Sequence, residues 1–505
     1  MLDRRKLRLV CFACVLLLSL SVFAVLAVYH HQLCMGVRVV GAERLQGCRK
    51  DLTVDVGSLT FCGEAVAADV ASQTIYLSQP EGDLSHPSRL MGELGTSEKG
   101  RKLYFIQSAE LEDLPAAVRD GAPLRLAVVE GDRYGEVRVV VSILPILRLE
   151  GLESAGTTIP GFPITRGRVT LFAGYNESTG GLSAHSYPAT WHKRGVYSSS
   201  LDKPPLKLAL KTPDDTPIDA DFLGLGKDDD WLLNAMRIDD TKVREKVMID
   251  AWNQHIATPQ TRMSTGKYVE VVIDDVYSGL YMLQRRVDEK FLALDRQRDI
   301  LFKGINTWEA AILEHGYEII YSGVDRGEAY AQLADMMDHF RYDLENFADV
   351  NLMVHFLHAV DNAGYKNMFY LLRPSEDGPT LYLLPWDTDA SMGIMYADGQ
   401  GMKHQFDTAI TIDRFRHEYK ELKKVYPHFD DLCAQRWRTL RGSMYDLPEL
   451  EERILSNADL LQRSGAYARD VQRWGLWSEN DTWDELIRWC RERIQRLDAI
   501  YLGEP

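Results

Sequence analysis

Apolar positions in the first part of the chain fall mostly in short runs that alternate with polar positions, and this pattern predicts strands. Runs over 74–77, 124–129 and 137–141, with a further run over 52–56, are bounded by Gly, Pro and Asp. Strands at these intervals are typical of a small sandwich. We therefore expect a small β-sandwich-like accessory domain over residues 31–150.

The β-rich pattern continues from residue 163 to about residue 300, and it contains isolated basic positions. Lys207 is the one polar residue in the apolar strand predicted over 206–210. Spacing alone favours a solvated lysine on one face of the strand over the alternative, a phosphate-binding lysine whose direction the strand fixes. Arg244 lies in the first turn of a helix that begins after Asp239, where a basic side chain opposes the helix dipole.

The later part of the chain is organised around a polar stretch that encloses a hairpin. A helix predicted over 345–360 leads directly into Asp361, and two strands over 368–372 and 381–384 are joined by an Asp-Gly turn. Beyond Gly393 the pattern is helical to the end of the chain. The order is β-rich, then mixed, then helical, which is typical of a two-lobed α+β protein.

Four polar residues flank this hairpin, Asp361 and Asn367 before it and Asp387 and Asp389 after it. A kinase-type site presents its parts in the same order. A loop Asp orients the acceptor hydroxyl, an Asn binds a metal ion, and a later Asp holds the metal that bridges the phosphates. The alternative is a surface hairpin with solvated acidic ends, because Asp and Asn are also common in turns for purely conformational reasons.

Composition indicates a folded, acidic protein. Of the 505 residues, 45% are hydrophobic and 10% are aromatic, which is enough for a substantial core, and the formal net charge is −16. General nucleic-acid binding depends on Lys and Arg side chains that neutralise phosphates. This charge therefore argues against a nucleic-acid partner.

An apolar run near the amino end predicts a membrane anchor. It begins at Leu9, ends at Val28 and follows a basic segment over residues 4–8. A helix of this length matches a hydrocarbon core of about 30 Å, and the basic flank favours a cytoplasmic amino end. We expect residues 1–30 to form a cytoplasmic tip and a transmembrane signal anchor, which would make this a single-pass protein of the cell membrane with an extracytoplasmic catalytic domain. A cleaved signal peptide is the competing interpretation.

Segments from residue 163 to the end resemble the bacterial spore coat protein H (CotH) kinase family, an atypical branch of the protein-kinase-like fold. The resembling segments occur in the family's order, and they are Arg194-Gly195 with the serine cluster and Lys203 to Lys207, Asp240-Thr241-Lys242-Val243-Arg244, Tyr268-Val269-Glu270-Val271 with Gly279-Leu280-Tyr281, Asp361 to Tyr370, Pro385-Trp386-Asp387-Thr388-Asp389, and the helix over 488–497. The resemblance implies a two-lobed kinase-like domain over 163–505, β-rich to about residue 300 and helical after it.

The resemblance also implies ATP and Mg²⁺ as cofactors and a set of nucleotide-binding residues. Lys207, or alternatively Lys203, would contact the ATP phosphates. Arg194 and Arg244 would assist this lysine by neutralising charge that develops on the phosphates.

Further roles implied by the resemblance fall on the residues around the hairpin. Asp361 would be the catalytic-loop Asp, and Lys366 would stabilise the transferring phosphoryl group. Asn367 and Asp387 would bind the metal ion, and Asp389 would support them, since carboxylate and amide oxygens suit Mg²⁺.

The chain departs from the family's pattern at two places. The usual interval from the loop Asp to the metal-binding Asn is five residues, whereas Asp361 lies six residues before Asn367 and Asn362 lies five before it. Either the loop has one extra residue or the base position has become Asn. In addition, an acidic residue often follows the Gly-x-Tyr strand in the family, and this chain has Gln284-Arg285-Arg286 there.

The function implied is a transferase activity, an atypical protein serine/threonine kinase that passes the γ-phosphate of ATP to Ser or Thr hydroxyls of a surface or coat protein. Two alternatives remain open. One is a non-catalytic surface scaffold or pseudokinase, favoured by the irregular loop and by the scarcity of ATP outside cells. The other is a metal-dependent hydrolase that uses Asp361, Asp387 and Asp389.

Overall fold

The computed structural model describes residues 38–85, 87–157, 161–176, 181–256, 258–305, 313–359, 362, 366–375, 378–397, 401–406 and 416–503. The described chain divides into two compact units. The first unit contains residues 38–150, 169–186 and 270–277, and the second unit contains residues 151–168, 187–269 and 278–503, within the described ranges. Among these residues no helix is long and apolar enough to cross a bilayer. The anchor predicted over 9–28 lies outside the described residues.

The first unit begins with short strands in two sheets. A six-stranded sheet has the order β1-β7-β8-β9-β5-β4, and a three-stranded sheet has the order β3-β2-β6. The strands are β1 (Arg38–Val40), β2 (Leu59–Phe61), β3 (Glu64–Ala65), β4 (Ala67–Asp69), β5 (Thr74–Ser78), β6 (Leu94–Thr96), β7 (Lys102–Ile106), β8 (Leu124–Glu130) and β9 (Arg133–Ser142). Pairs β1–β7 and β5–β9 are parallel. The predicted sandwich-like arrangement stays a prediction.

Alternation of side chains explains why the strands of the first unit form where the sequence predicts them. In β8, Leu124 and Leu126 are buried while Arg125 between them is exposed, and β9 repeats this pattern around Arg138. The three predicted strands over 74–77, 124–129 and 137–141 are confirmed.

The strand predicted over 52–56 is wrong, although its apolar positions are buried. A 3₁₀ turn over Val56–Ser58 follows Asp55, whose side chain accepts a hydrogen bond from the backbone N–H of Gly57 at 3.0 Å. Side chains of this type compete with sheet hydrogen bonds by bonding to the backbone nearby. Leu52 and Val54 nevertheless contribute to the core of the first unit.

A closed barrel contains seven strands in the order β10-β11-β12-β13-β16-β18-β17, and β14 and β15 form a separate two-stranded ladder. These strands are β10 (Ile146–Thr157), β11 (Pro163–Asn176), β12 (Gly181–Lys193), β13 (Leu206–Leu210), β14 (Ala220–Asp221), β15 (Lys227–Asp228), β16 (Asp230–Asn234), β17 (Gly266–Ile273) and β18 (Val276–Arg285). In the second unit, β13 pairs with β12 and β16 on either side, and Lys207 lies opposite Leu232. The predicted strand over 206–210 is confirmed.

The second unit also contains a four-stranded antiparallel sheet with the order β20-β19-β21-β22 and a hairpin of β23 and β24. Their bounds are β19 (Ile300–Gly304), β20 (Tyr317–Ser322), β21 (Met368–Ser375), β22 (Gly378–Pro385), β23 (Ile394–Ala397) and β24 (Gly401–His404). The predicted hairpin of 368–372 with 381–384 is confirmed. The prediction of only helices after Gly393 is wrong, because β23 and β24 come first.

Helices dominate the end of the described chain. Their bounds are α1 (Pro87–Glu93), α2 (Ala109–Glu112), α3 (Leu114–Arg119), α4 (Arg244–His255), α5 (Glu289–Leu292), α6 (Leu313–Gly316), α7 (Arg326–Asp338), α8 (Leu344–Leu357), α9 (Arg416–Val425), α10 (Phe429–Leu440), α11 (Leu447–Arg463), α12 (Ala466–Trp474) and α13 (Trp483–Tyr501). The Thr482 hydroxyl accepts a hydrogen bond from the Glu485 N–H at 3.2 Å, as the capping sequence predicts. The mixed α+β class is confirmed.

Candidate functional site

The base of the β21–β22 hairpin brings the two predicted metal-binding positions together. Met368 lies opposite Pro385 in the ladder, and the Trp386 N–H donates to the Asn367 carbonyl at 3.1 Å. Asn367 and Asp387 therefore flank the same end of the hairpin, with φ angles of 54° and 58°. Left-handed backbone is uncommon for residues other than glycine and is concentrated at functional sites.

Helix α8 fixes the position of this hairpin within the second unit. The Asn346 side chain donates to the Leu383 carbonyl at 3.0 Å and accepts from the Leu383 N–H at 2.7 Å. The helix ends at Leu357, and His358 adopts a left-handed conformation with φ of 52°. The predicted helix over 345–360 is thus confirmed in its main part.

Three carboxylates, those of Glu245, Asp387 and Asp389, form an acidic cluster beside the hairpin base. Burial, with the nearby Asp387 carboxylate, raises the pKa of Glu245 to about 8, and Arg194 opposes this rise. Asn234 donates a short hydrogen bond to Glu245. Burial also holds the pKa of Asp389 well above its usual range, with added repulsion from Asp387 and Glu245. Glu245 and Asp389 therefore resist ionisation, and a bound cation would relieve this condition.

Two basic side chains face this cluster over an aromatic pair. The Arg194 guanidinium lies 5.7 Å from the centre of the Trp386 ring, and the Lys303 ammonium lies 6.0 Å from the centre of the Phe369 ring. The two rings pack edge to face with centres 5.7 Å apart. Burial lowers the pKa of Lys303, the Arg194 charge lowers it further, and Asp387 raises it.

Neither member of this pair is in direct contact with a carboxylate in the part of the chain that the structure describes, although Asp387 and Glu318 attract Lys303 at longer range. Arg194 and Lys303 make no ion pair within 4.0 Å with any described residue. Glu318 lies opposite Lys303 in the β19–β20 ladder, but it is exposed and forms no ion pair with it. Arg194 therefore repels Lys303, and Asp387 attracts it without direct contact.

The structure places Lys207 in an ion pair on the face of the barrel. Its ammonium lies 3.0 Å from a carboxylate oxygen of Asp230, and Arg286 contacts the same carboxylate at 3.0 Å. Lys207 is half-buried. Among the described residues, Lys207 makes no ion pair with the acidic cluster. Its predicted role in phosphate binding stays a prediction.

Lys203 is fully buried in a network that connects β18 to helix α12. Its ammonium donates to an Asp470 carboxylate oxygen at 2.6 Å and to the Leu280 carbonyl at 2.5 Å. Lys242 lies 3.5 Å from the other Asp470 oxygen. Burial lowers the pKa of Lys203 to about 8, although Asp470 opposes this shift. Gly279, with φ of 93°, leaves the space for Asp470, because a Cβ there would lie 2.3 Å from its carboxylate oxygen.

Arg244 is buried in a second network, which explains its place at the start of a helix. Its guanidinium lies 2.5 Å from Asp239 and 2.6 Å from Asp481, and it also donates to the Met392 carbonyl. The two carboxylates hold the pKa of Arg244 above its usual value despite its burial. The charge therefore neutralises two buried acids, which accounts for a basic residue at a position that the helix dipole disfavours.

The remaining predicted residues lie at the loop before the hairpin. Lys366 is half-buried and directly precedes Asn367. Asp361 lies outside the described residues, so its predicted role as catalytic base stays a prediction. Within the described ranges, no three His, Cys, Asp or Glu side chains form a group that could hold a metal ion. Asn367 is not one of these residue types, and Asp361 lies outside the described residues.

Sequence reasoning missed Glu245 and Lys303. Lys303 carried the same signal as Lys207, since it is the single charged residue in the apolar run of β19. Glu245 directly follows Arg244 in the first turn of α4. An acid near the start of a helix is favoured by the dipole, so its position gives no sign of a functional role.

These features define a mixed α+β protein with a polar site suited to charged ligands. Comparison with protein families matches the chain to the family described as CotH kinase protein over residues 192–498, more than half of the chain. The chain belongs to the CotH kinase family, and this membership indicates a kinase-like protein. Comparison with curated proteins finds no match.

Proposed function

We propose that the chain is an ATP-dependent protein kinase of the CotH family, with a two-lobed kinase-like domain that transfers the γ-phosphate to Ser or Thr hydroxyls of a surface or coat protein. The predicted anchor over 9–28 would hold it in the cell membrane with this domain outside the cytoplasm. The observation that supports the proposal most strongly is the cationic pair of Arg194 and Lys303 beside Asp387.

Two like charges that repel each other and have no direct carboxylate contact favour the binding of an anion. A polyphosphate suits both members of the pair, because a guanidinium binds phosphate oxygens through paired N–H donors and an ammonium binds as a point charge. Burial is the main cause of the lowered pKa of Lys303, and the Arg194 charge lowers it further. We therefore assign Arg194 and Lys303 to the ATP phosphates, with Lys207 as a further candidate.

The hairpin base supports the metal part of the proposal. Asn367 and Asp387 at the hairpin base supply amide and carboxylate oxygens, and Asp389 lies two residues further on. A bound Mg²⁺ would neutralise charge on the β- and γ-phosphates. The raised pKa values of Glu245 and Asp389 fit this role, because a cation would stabilise their ionised forms.

The reaction then requires positioning and charge neutralisation. The acceptor oxygen of Ser or Thr forms a bond to the γ-phosphorus, the bond from that phosphorus to the β–γ bridging oxygen breaks, and ADP leaves. Asp361 would accept the hydroxyl proton. Lys366, beside Asn367, would stabilise charge on the transferring group.

A non-catalytic scaffold is the second candidate, favoured by the six-residue interval from Asp361 to Asn367. The two functions are separated by incubating the purified full chain with γ-labelled ATP, Mg²⁺ and a panel of Ser- and Thr-bearing proteins. The kinase proposal predicts labelled protein that disappears with a chelator and in Asp387→Asn. An unlabelled panel together with no heat on titration of ATP and Mg²⁺ would contradict it and favour the scaffold.

A further inference from the structure

The residue that lies five positions before Asn367 is buried and faces the backbone of the hairpin base. Asn362 is 1% exposed. Its Nδ2 atom donates to the Asn367 carbonyl at 2.9 Å and to the Trp386 carbonyl at 2.6 Å. Both neighbours are acceptors, so the NH₂ end of the amide must point toward them. Its Oδ1 atom has no hydrogen-bond partner in the described part of the chain.

These two carbonyls belong to the peptides that orient the predicted metal-binding side chains. One is the carbonyl of Asn367 itself, and the other lies in the peptide that joins Trp386 to Asp387. Asn367 and Asp387 both have positive φ angles, a conformation that persists only where surrounding contacts hold it. A single amide with two N–H donors thus ties the two sides of the hairpin base together.

We propose that Asn362 is a positioning residue whose amide clamps the Asn367 and Trp386 carbonyls and so sets the directions of the Asn367 and Asp387 side chains. The part of this inference that concerns metal and nucleotide rests on the proposed kinase function. The clamp requires a donor at both contacts. An ionised carboxylate has none, so Asp at this position would meet two carbonyl oxygens and repel both.

This inference decides between the two explanations of the irregular loop. If residue 362 stood at the base position, the site would have to accept a carboxylate. Instead, it places two carbonyl oxygens against the side chain, which an amide satisfies and a carboxylate would repel. We therefore assign the role of base in the proposed mechanism to Asp361, with one extra residue in the loop relative to the family's interval.

The test is Asn362→Asp in the full chain, which keeps the shape of the side chain and replaces its donor by an acceptor. Asn346→Asp is the matched control, because Asn346 is also buried and also bonds to the backbone of this hairpin, at Leu383. Calorimetry measures the Mg²⁺ concentration that half-saturates ATP binding. We expect it to rise at least about tenfold in Asn362→Asp, the usual cost of losing a contact that orients a metal ligand. Asn346→Asp alters a contact farther from the hairpin base and should raise it less, and phosphoryl transfer should fall in Asn362→Asp.

A higher transfer rate in Asn362→Asp, or an unchanged Mg²⁺ requirement, would overturn the inference and restore residue 362 to the base position. If the unaltered chain binds no ATP, the proposed function fails. Hydrogen exchange then tests independently whether Asn362 holds the Asn367 and Trp386 carbonyls. Because the Trp386 N–H donates to the Asn367 carbonyl, its exchange should be at least about tenfold faster in Asn362→Asp than in Asn346→Asp. Equal exchange in the two variants would show that Asn362 does not hold the hairpin base.

Discussion

Two pairs of basic residues in the second unit differ in what neutralises them. Lys203 and Arg244 are fully buried, and each bonds directly to at least one buried carboxylate. Arg194 and Lys303 are half-buried, lie over aromatic rings and have no such carboxylate among the described residues. Removal of a charge that contacts buried carboxylates leaves them unpaired and destabilises the fold, whereas a pair without direct carboxylate contacts is available for an anion. We therefore call Lys203 and Arg244 the structural pair and Arg194 and Lys303 the ligand pair.

The largest effect in this comparison should follow removal of a structural charge. Arg244→Met would leave Asp239 and Asp481 buried without their shared cation, and breaking a buried ion pair in this way typically costs about 3–5 kcal/mol. Denaturant unfolding of the full chain measures the change. A loss below about 1 kcal/mol would mean that Arg244 does not hold the fold.

A smaller loss of stability is expected for Lys203→Met. Asp470 would lose its closest cation but keep Lys242 at 3.5 Å, so we expect a cost of about 2–3 kcal/mol. The same unfolding measurement applies. At a temperature where this variant remains folded, its affinity for ATP with Mg²⁺ should be close to that of the unaltered chain.

Removal of a ligand charge should have the opposite profile. Arg194→Met and Lys303→Met should each weaken binding of ATP with Mg²⁺ by about 10- to 100-fold, because a hydrogen bond to a charged group is worth about 1.5–3 kcal/mol. Stability should stay the same or rise, since repulsion between the two cations is relieved. Lys267→Met, at an exposed position of β17, is the control for loss of one positive charge. If Arg194→Met or Lys303→Met lost stability and kept its affinity for ATP, the assignment of these residues would be wrong.

The acidic cluster gives a smaller, pH-dependent effect. Glu245 has a pKa raised to about 8 in the folded chain and close to its ordinary value of about 4.3 when unfolded. The folded state therefore holds the proton more tightly, and stability without metal should fall as pH rises through this window. From pH 6 to pH 8 the fall is at most about 2.7 kcal/mol. Glu245→Gln should flatten this part of the profile, and an unchanged slope would show that Glu245 is not the titrating group.

Much of the fold could be predicted from the sequence because side-chain periodicity decides it. The strand around Lys207, the hairpin that follows Asn367 and the helix capped by Thr482 all lie where apolar spacing and cap residues place them. The strand over 52–56 failed because Asp55 bonds to the nearby backbone, and this local contact competes with the alternating pattern.

The candidate site was less predictable, because the sequence does not show which charges meet. Lys203 and Lys207 lie close together along the chain. Nevertheless, Lys203 is buried against Asp470, and Lys207 is half-buried against Asp230. Lys303 lies far along the chain from Arg194, and only the pairing of β19 with β21 brings Lys303 beside the hairpin. Such partners depend on tertiary contacts that no local pattern specifies.

The most direct test of the two pairs is calorimetric titration of ATP with Mg²⁺ into the unaltered full chain, Lys303→Met and Lys203→Met, each at a temperature where it is folded. Our account predicts binding by the unaltered chain, similar binding by Lys203→Met, and at least about tenfold weaker binding by Lys303→Met. Full affinity in Lys303→Met together with lost affinity in folded Lys203→Met would contradict it, and would make the buried lysine the phosphate ligand.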